Sequence, residues 1–97
     1  MHILDTVTDF INGLSDNDAA KVLANLKFLE IDRTDGLIIK KLKGKIYELI
    51  IYQYRIVFFR ICTTIYVVAG FRKKSRKIPK RIIERAENIY RNINRKS

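Results

Sequence analysis

Residues 67–79 read Val67-Val68-Ala69-Gly70-Phe71-Arg72-Lys73-Lys74-Ser75-Arg76-Lys77-Ile78-Pro79. The apolar first half is typical of a buried β-strand. It continues without a linker into a segment in which five of the six residues after Phe71 are Arg or Lys. Closely spaced positive charges repel one another unless an anion neutralises them, and a nucleic-acid backbone is an abundant anion inside a cell. The segment therefore predicts a strand that ends at a nucleic-acid-binding edge, with a solvated basic loop as the alternative.

Positive charge is concentrated in the C-terminal two thirds of the chain. The formal net charge is +10 over 97 residues. Residues 1–36 contain three basic and seven acidic residues, whereas residues 37–97 contain seventeen basic and three acidic ones. We therefore expect the functional face in the second region. With 47% hydrophobic residues, four Gly and one Pro, the composition is that of a folded protein, and the length predicts one domain spanning 1–97.

Several classes of function lack the residues that they need. No run approaches the roughly 18 apolar residues of a membrane span, which predicts a cytoplasmic protein without a membrane partner. The single Cys62 cannot form an internal disulfide, and with the single His2 it cannot build a zinc site. The chain also has no Ser-His-Asp, Cys-His or phosphate-binding glycine motif. We expect neither a metal nor a cofactor.

The segments at the two ends of the chain have helical periodicity. Apolar residues recur at helical spacing over 7–14 and again over 19–29, with Ser15 placed to cap the second helix. Turn residues at 33–36 end that helix, so the pair predicts an αα-hairpin that packs on a sheet. Pro79 suits the first turn of a C-terminal amphipathic helix. We interpret its apolar stripe as a surface that docks on the sheet, with RNA or a membrane surface as alternatives.

The segment between the helices is rich in β-branched and aromatic residues. Strands are predicted over 46–52, 54–61 and 65–71, while residues 37–42 are compatible with a strand or a loop. The short breaks favour antiparallel pairing, so the fold class is α+β. Both faces of these strands are apolar, and we expect a protein partner to cover the area that the helices leave exposed.

Arg55 interrupts an otherwise apolar predicted strand. A guanidinium group in such a place needs an anion, since burying an unpaired charge is costly. One interpretation is a structural salt bridge to Glu48 on the neighbouring strand. The other is that Arg55 joins Arg72 and the 73–77 loop around one phosphate, which an Arg side chain can bind with two hydrogen bonds.

Four stretches carry a resemblance to a known family. They are Lys41-Leu42-Lys43-Gly44, Ile46-Tyr47-Glu48-Leu49, Tyr54-Arg55-Ile56, and the 70–79 segment followed by a helix. Together they resemble the phage-derived HigB branch of the RelE/ParE superfamily, whose members are toxins of type II toxin–antitoxin pairs. The similarity extends over nearly the whole chain, because residues 7–29 also look like the helical hairpin of that family.

The resemblance implies a small twisted antiparallel sheet on an N-terminal helix pair, and activity as a ribosome-dependent mRNA endonuclease that works without metal. The expected partners are a cognate antitoxin and mRNA on the ribosome. The chemistry is attack of an RNA 2′-hydroxyl on its own phosphate, so the protein orients the backbone, stabilises charge and moves protons. The implied catalytic residues are Arg55, Lys73 and Lys74, with one Lys as general acid, and the implied RNA-binding residues are Lys41, Lys43, Arg72, Arg76 and Lys77.

The chain departs from the family pattern at two places. Family members usually carry Arg where this chain has Ile50. They also tend to begin with a β-strand, for which residues 1–4 are too short, so we expect an exposed sheet edge that a partner or a second copy could fill as a homodimer. Two other functions stay open. One is a ParE-type toxin that inhibits DNA gyrase without catalysis, and the other is an inactive RNA-binding protein of phage origin.

Overall fold

The computed structural model describes residues 1–96 and shows an α+β fold of one five-stranded sheet and three helices within that range. In chain order the elements are β1 (His2–Ile3), α1 (Asp5–Asn12), α2 (Asp16–Glu30), β2 (Ile38–Lys43), β3 (Ile46–Ile51), β4 (Tyr54–Ile61), β5 (Thr64–Arg72) and α3 (Lys80–Lys96).

Strands β2 to β5 form an antiparallel meander, and the sheet order is β1-β5-β4-β3-β2. Each hairpin has a two-residue loop whose first residue has a positive φ of 55°, namely Gly44, Tyr52 and Cys62. Only Gly adopts this conformation without steric cost. The strand pairing therefore imposes a strained backbone at Tyr52 and Cys62.

The N-terminus corrects one prediction, because residues 1–4 do contribute a strand. His2 pairs with Tyr66 and Ile3 with Val67 in a parallel arrangement, so the sheet is mixed. The Leu4 amide donates to the Val67 carbonyl at 3.0 Å, and the His2 ring stacks on the Tyr66 ring. The edge that we expected to be open beside β5 is thus partly filled. Within residues 1–96, β2 forms the other edge of the sheet and has no strand partner on its outer side.

The two N-terminal helices occur in the predicted order, and Ser15 caps α2 by accepting a hydrogen bond from the Asp18 amide at 3.2 Å. Their arrangement differs from a simple hairpin on the sheet. Helix α1 packs mainly along β5, directly after β1, while α2 packs against β3. The Asp18 carboxylate does not close the capping box but accepts a hydrogen bond from the Tyr54 hydroxyl.

Both faces of the sheet are covered by the chain's own helices. On one face α1 and α2 bury Val7, Val22 and Leu26 against strand residues that include Leu49 and Ile56. On the other face α3 lays its apolar stripe on a second cluster, which confirms the docking that its periodicity predicted. The two clusters bury much of the apolar sheet surface within the chain, but Ile38 of β2 remains 57% exposed. The second cluster comprises Ile46, Val57, Phe59, Val68 and Ala86, with Ile82, Ile89, Tyr90 and Ile93 packed around it.

Gly70 allows α1 to approach β5 closely. A Cβ atom at this position would lie 2.8 Å from Phe10 Cδ2 and 3.2 Å from Ile56 Cδ1. We expect Gly70→Ala to lower the free energy of unfolding by about 1–3 kcal/mol, because the Phe10 ring and α1 must move to relieve the overlap. Chemical denaturation measures this. Gly36→Ala is the matched control, since a Cβ there has no neighbour within 4 Å, and equal stability of the two variants would contradict the prediction.

Candidate nucleic-acid interface

The basic loop, defined here as residues 72–77, extends from the end of β5 toward α3. The Lys73 amide donates to the Gln53 carbonyl at 2.8 Å, so the loop is anchored to the turn between β3 and β4. The Ser75 hydroxyl donates to the Lys77 carbonyl at 2.9 Å. Lys74, Arg76 and Lys77 are exposed. The predicted cationic edge is therefore present, at the end of the sheet that contains the β3–β4 turn.

Arg55 lies on the α3 face of the sheet, opposite Ile50 on β3 and Phe71 on β5. Its Nε is 3.9 Å from Glu48 Oε1, and the two side chains are 14% and 4% exposed. Its Nη1 donates to the carbonyls of Tyr52 (3.0 Å) and Tyr54 (2.9 Å). The ion pair with Glu48, one of the two interpretations drawn from the sequence, is thus present.

This pair is incompletely satisfied. At 3.9 Å the two groups attract each other but form no hydrogen bond. Glu48 Oε2 and Arg55 Nε are buried without a hydrogen-bond partner among the described residues. Ile50 lies on the same face, directly opposite Arg55, so the position where the resemblance leads us to expect a cation holds an apolar side chain. Arg55 is held mainly by the carbonyls of the β3–β4 turn.

Arg72 lies on the opposite face from Arg55, which corrects the expectation that both converge on one pocket. It pairs with Tyr54 across β4 and β5, and its guanidinium carbon lies 5.5 Å from the centre of the Tyr54 ring. Tyr54 belongs to the core cluster under α1 and α2. Lys73 is the first residue after β5 and is two residues beyond Phe71 on the Arg55 face, so strand alternation favours that face for its side chain. The cations at this end of the sheet are therefore divided between its two faces.

Two consecutive hydrogen bonds hold the side chain of Arg72, the first residue of the basic loop. The Tyr54 hydroxyl donates to Asp18 Oδ2 at 2.5 Å and accepts from Arg72 Nη2 at 3.4 Å. The hydrogen bond to Asp18, followed by burial, raises the pKa of Tyr54 above its usual value, while Arg72 acts in the other direction. Arg72 is thereby oriented by two residues that sequence reasoning did not select. Asp18 lies in the first turn of α2, and no pattern of neighbouring residues in the sequence predicts its contact with β4.

Lys41 and Lys43, predicted to bind RNA, lie apart from the basic loop. Lys41 pairs with Tyr47 on the α2 side, whereas Lys43 forms a 3.5 Å ion pair with Glu87 of α3. A bulge separates the two lysines along β2. Lys43 pairs with Ile46 of β3, whereas Arg55 pairs with Ile50 of the same strand. Ile46 and Ile50 are four residues apart, which is about 13 Å along a strand. The structure does not bring these two lysines to the basic loop.

The comparisons with known proteins identify the family. The family model described as Phage derived protein Gp49-like (DUF891) matches residues 9–91. The chain belongs to this family. The Gp49-like protein also resembles a chain in the crystal structure of the RelB-RelE antitoxin-toxin complex from Methanococcus jannaschii, with a TM-score of 0.65, 16% sequence identity, and coverage of 74% of this chain and 89% of that chain. No curated protein sequence matches it significantly. The similarity to RelE thus confirms the expected α+β fold, but it does not confirm the N-terminal hairpin arrangement, and the sheet is mixed because β1 pairs parallel with β5.

One cleft of the Gp49-like protein lies apart from its basic loop. The cleft has a volume of about 730 Å³ and lies between the C-terminal half of α2, the start of β2 and the β3–β4 turn, lined by residues that include Phe28, Arg33, Ile38 and Tyr52. A polymer backbone bound along an exposed loop needs no deep cavity. Within residues 1–96 no group of three or more His, Cys, Asp or Glu is arranged to hold a metal ion, and none of the helices there is long and apolar enough to cross a membrane.

Proposed function

We propose that this Gp49-like protein is the toxin of a type II toxin–antitoxin pair and a ribosome-dependent, metal-independent mRNA endonuclease of the HigB type. The observation that carries the proposal is the basic loop at the end of β5 on a RelE-like fold. Within the described residues, Lys73, Lys74, Arg76 and Lys77 form no ion pair, so their charge is available to an RNA backbone.

The proposed reaction needs positive charge and proton transfer at a single phosphate. The 2′-oxygen attacks the adjacent phosphorus and loses its proton, the bond from phosphorus to the 5′-oxygen breaks, and that oxygen takes up a proton. The products are a 2′,3′-cyclic phosphate and a 5′-hydroxyl. Lys73 or Lys74 gives the proton to the leaving oxygen, and Arg55 stabilises the charge that develops on the phosphate oxygens.

The remaining cations hold the RNA backbone. Arg72, fixed by Tyr54, together with Arg76 and Lys77, positions the strand on either side of the reacting phosphate. Arg55 can contribute through Nη2, because its Nη1 is committed to the turn carbonyls and Nη2 makes no hydrogen bond within residues 1–96. Lys41 and Lys43 are too distant for the same phosphate and would contact RNA elsewhere.

A cognate antitoxin is the proposed protein partner, as the RelB-RelE complex is an antitoxin-toxin assembly. Large apolar side chains that such a partner could cover are exposed on α2 and near the cleft, namely Leu23, Phe28, Ile31, Ile38 and Tyr52. If expression of this toxin arrests growth, co-expression of the antitoxin encoded beside its gene should restore growth. The open edge of β2 is the place where a second copy could pair, as the predicted homodimer requires.

The experiment that tests the function compares one mRNA free in solution and engaged on ribosomes. We expect the purified protein to cut only the ribosome-bound mRNA, leaving 5′-hydroxyl and 2′,3′-cyclic phosphate ends, which end-labelling detects. Cutting of free mRNA would contradict ribosome dependence. Absence of cutting, together with inhibition of DNA gyrase in a supercoiling assay, would favour the ParE-type function, and RNA binding without either activity would identify an inactive protein.

A further inference from the structure

The outer face of α3 is a cationic surface that faces away from the sheet. The apolar residues of this helix are buried or half-buried against the sheet, whereas the opposite side consists of exposed polar residues. The cationic and amide side chains on that side recur at spacings of three and four residues, which makes one continuous stripe on a helix. We call it the α3 outer face, and it comprises Arg81, Arg85, Asn88, Arg91, Asn92 and Arg95.

None of the four arginines on this face forms an ion pair with a carboxylate within residues 1–96. Of the two acidic residues in α3, Glu84 is exposed on the same side of the helix and lies 3.9 Å from Lys80, whereas Glu87 pairs with Lys43 of β2 on the sheet side. Arg81 and Arg85 form no ion pair within residues 1–96. The face therefore keeps the charge of its four arginines.

Two of these arginines are held in place by neutral groups. Arg91 Nη2 donates to the Asn88 side-chain oxygen, and Arg95 Nη2 donates to that of Asn92 at 2.9 Å. An amide oxygen restrains a guanidinium group without cancelling its charge. Less side-chain entropy is then lost when the group binds an anion.

The composition of the face decides between possible partners. A helix that binds a membrane surface inserts an apolar side, but the apolar side of α3 is already packed on the sheet. A protein interface commonly combines arginine with aromatic or other apolar anchors at its centre, and the α3 outer face has arginine without any apolar anchor. A surface of arginine and asparagine without apolar anchors suits a phosphate backbone.

We propose that the α3 outer face binds the phosphate backbone of folded, double-stranded RNA as a second contact, in addition to the basic loop. Arg81 and Arg95 are fourteen residues apart, or about 21 Å along the helix, which is long enough to contact several phosphates. The choice of RNA over DNA rests on the proposed function, whereas backbone binding follows from the face itself.

The test is the salt dependence of binding to an RNA hairpin of about 16 base pairs, without ribosomes. For the Arg85→Gln, Arg91→Gln, Arg95→Gln variant, we expect the slope of log affinity against log salt, between about 50 and 200 mM, to become shallower by roughly 2 to 3. The matched control, Lys21→Gln, Lys27→Gln, Arg33→Gln, removes the same charge from the acidic N-terminal third and should leave the slope close to that of the unmodified protein. Replacing the three α3 arginines by Lys should also preserve the slope.

Equal slopes for the α3 variant and the unmodified protein, or equal losses in the two Gln variants, would overturn the proposal. A DNA duplex of the same sequence that binds as tightly would overturn the assignment to RNA. Binding to vesicles of phosphatidylglycerol and phosphatidylcholine that depends on the same arginines would overturn it in favour of a membrane surface. Because no cleavage is measured, the result is independent of whether the protein is an endonuclease.

Discussion

Replacing Arg55 by Ala is expected to lower the free energy of unfolding by about 3 kcal/mol and to slow mRNA cleavage by roughly 10² to 10³-fold. The stability loss follows from Glu48, whose side chain is 4% exposed and has Arg55 as its ion-pair partner. Without that partner an uncompensated charge stays buried. The loss of cleavage follows from the charge that Arg55 supplies at the reacting phosphate. Urea denaturation and the ribosome assay measure the two effects.

A double variant separates these two roles. Glu48→Leu with Arg55→Met replaces the pair by apolar side chains of similar size, which is commonly neutral or stabilising in buried pairs. We expect the double variant to recover the stability of the unmodified protein while cleavage stays low. If cleavage returned with stability, Arg55 would be a structural residue and its proposed contact with the phosphate would be wrong.

Removing three charges from the basic loop should have a comparable effect on cleavage and little effect on the fold. For Lys73→Gln, Lys74→Gln, Lys77→Gln we expect cleavage to fall by at least about 10²-fold, with the free energy of unfolding unchanged within about 0.5 kcal/mol. These side chains make no ion pair within residues 1–96, so the fold loses no ion pair with them. The N-terminal triple variant, which removes the same charge, is the control and should cleave normally.

Substitution by Arg distinguishes a general acid from a cation that only binds. Arg keeps the positive charge but holds its proton too tightly to transfer it near neutral pH. We expect one of Lys73→Arg and Lys74→Arg to bind ribosome-engaged mRNA normally and to cleave it slowly, which identifies the proton donor. Normal cleavage by both variants would exclude either lysine as the general acid.

Local patterns in the sequence were sufficient for most elements of the fold. The strand over 54–61 agrees with the observed β4, and the neighbouring strands agree within one residue at each end, because apolar and β-branched runs are bounded by short polar breaks. Ser15 caps α2, and the stripe on α3 packs on the sheet, since capping and helical periodicity depend only on residues a few positions apart. The cluster of cations at 73–77 was also evident from the sequence alone.

Tertiary structure decided the contacts between residues distant in sequence. Strand β1 is two residues long and has no pattern of its own, so its parallel pairing with Tyr66 and Val67 appears only when β5 is in place. The register of β4 and β5 places Arg55 and Arg72 on opposite faces, whereas a list of cations in sequence order suggested one pocket. Likewise the Tyr54 contact with Asp18, which orients Arg72, joins a strand to a helix cap across the core. Local sequence specifies which residues are strand, helix or cation, but the pairing register and the packing of α1 and α2 specify which of them share a face.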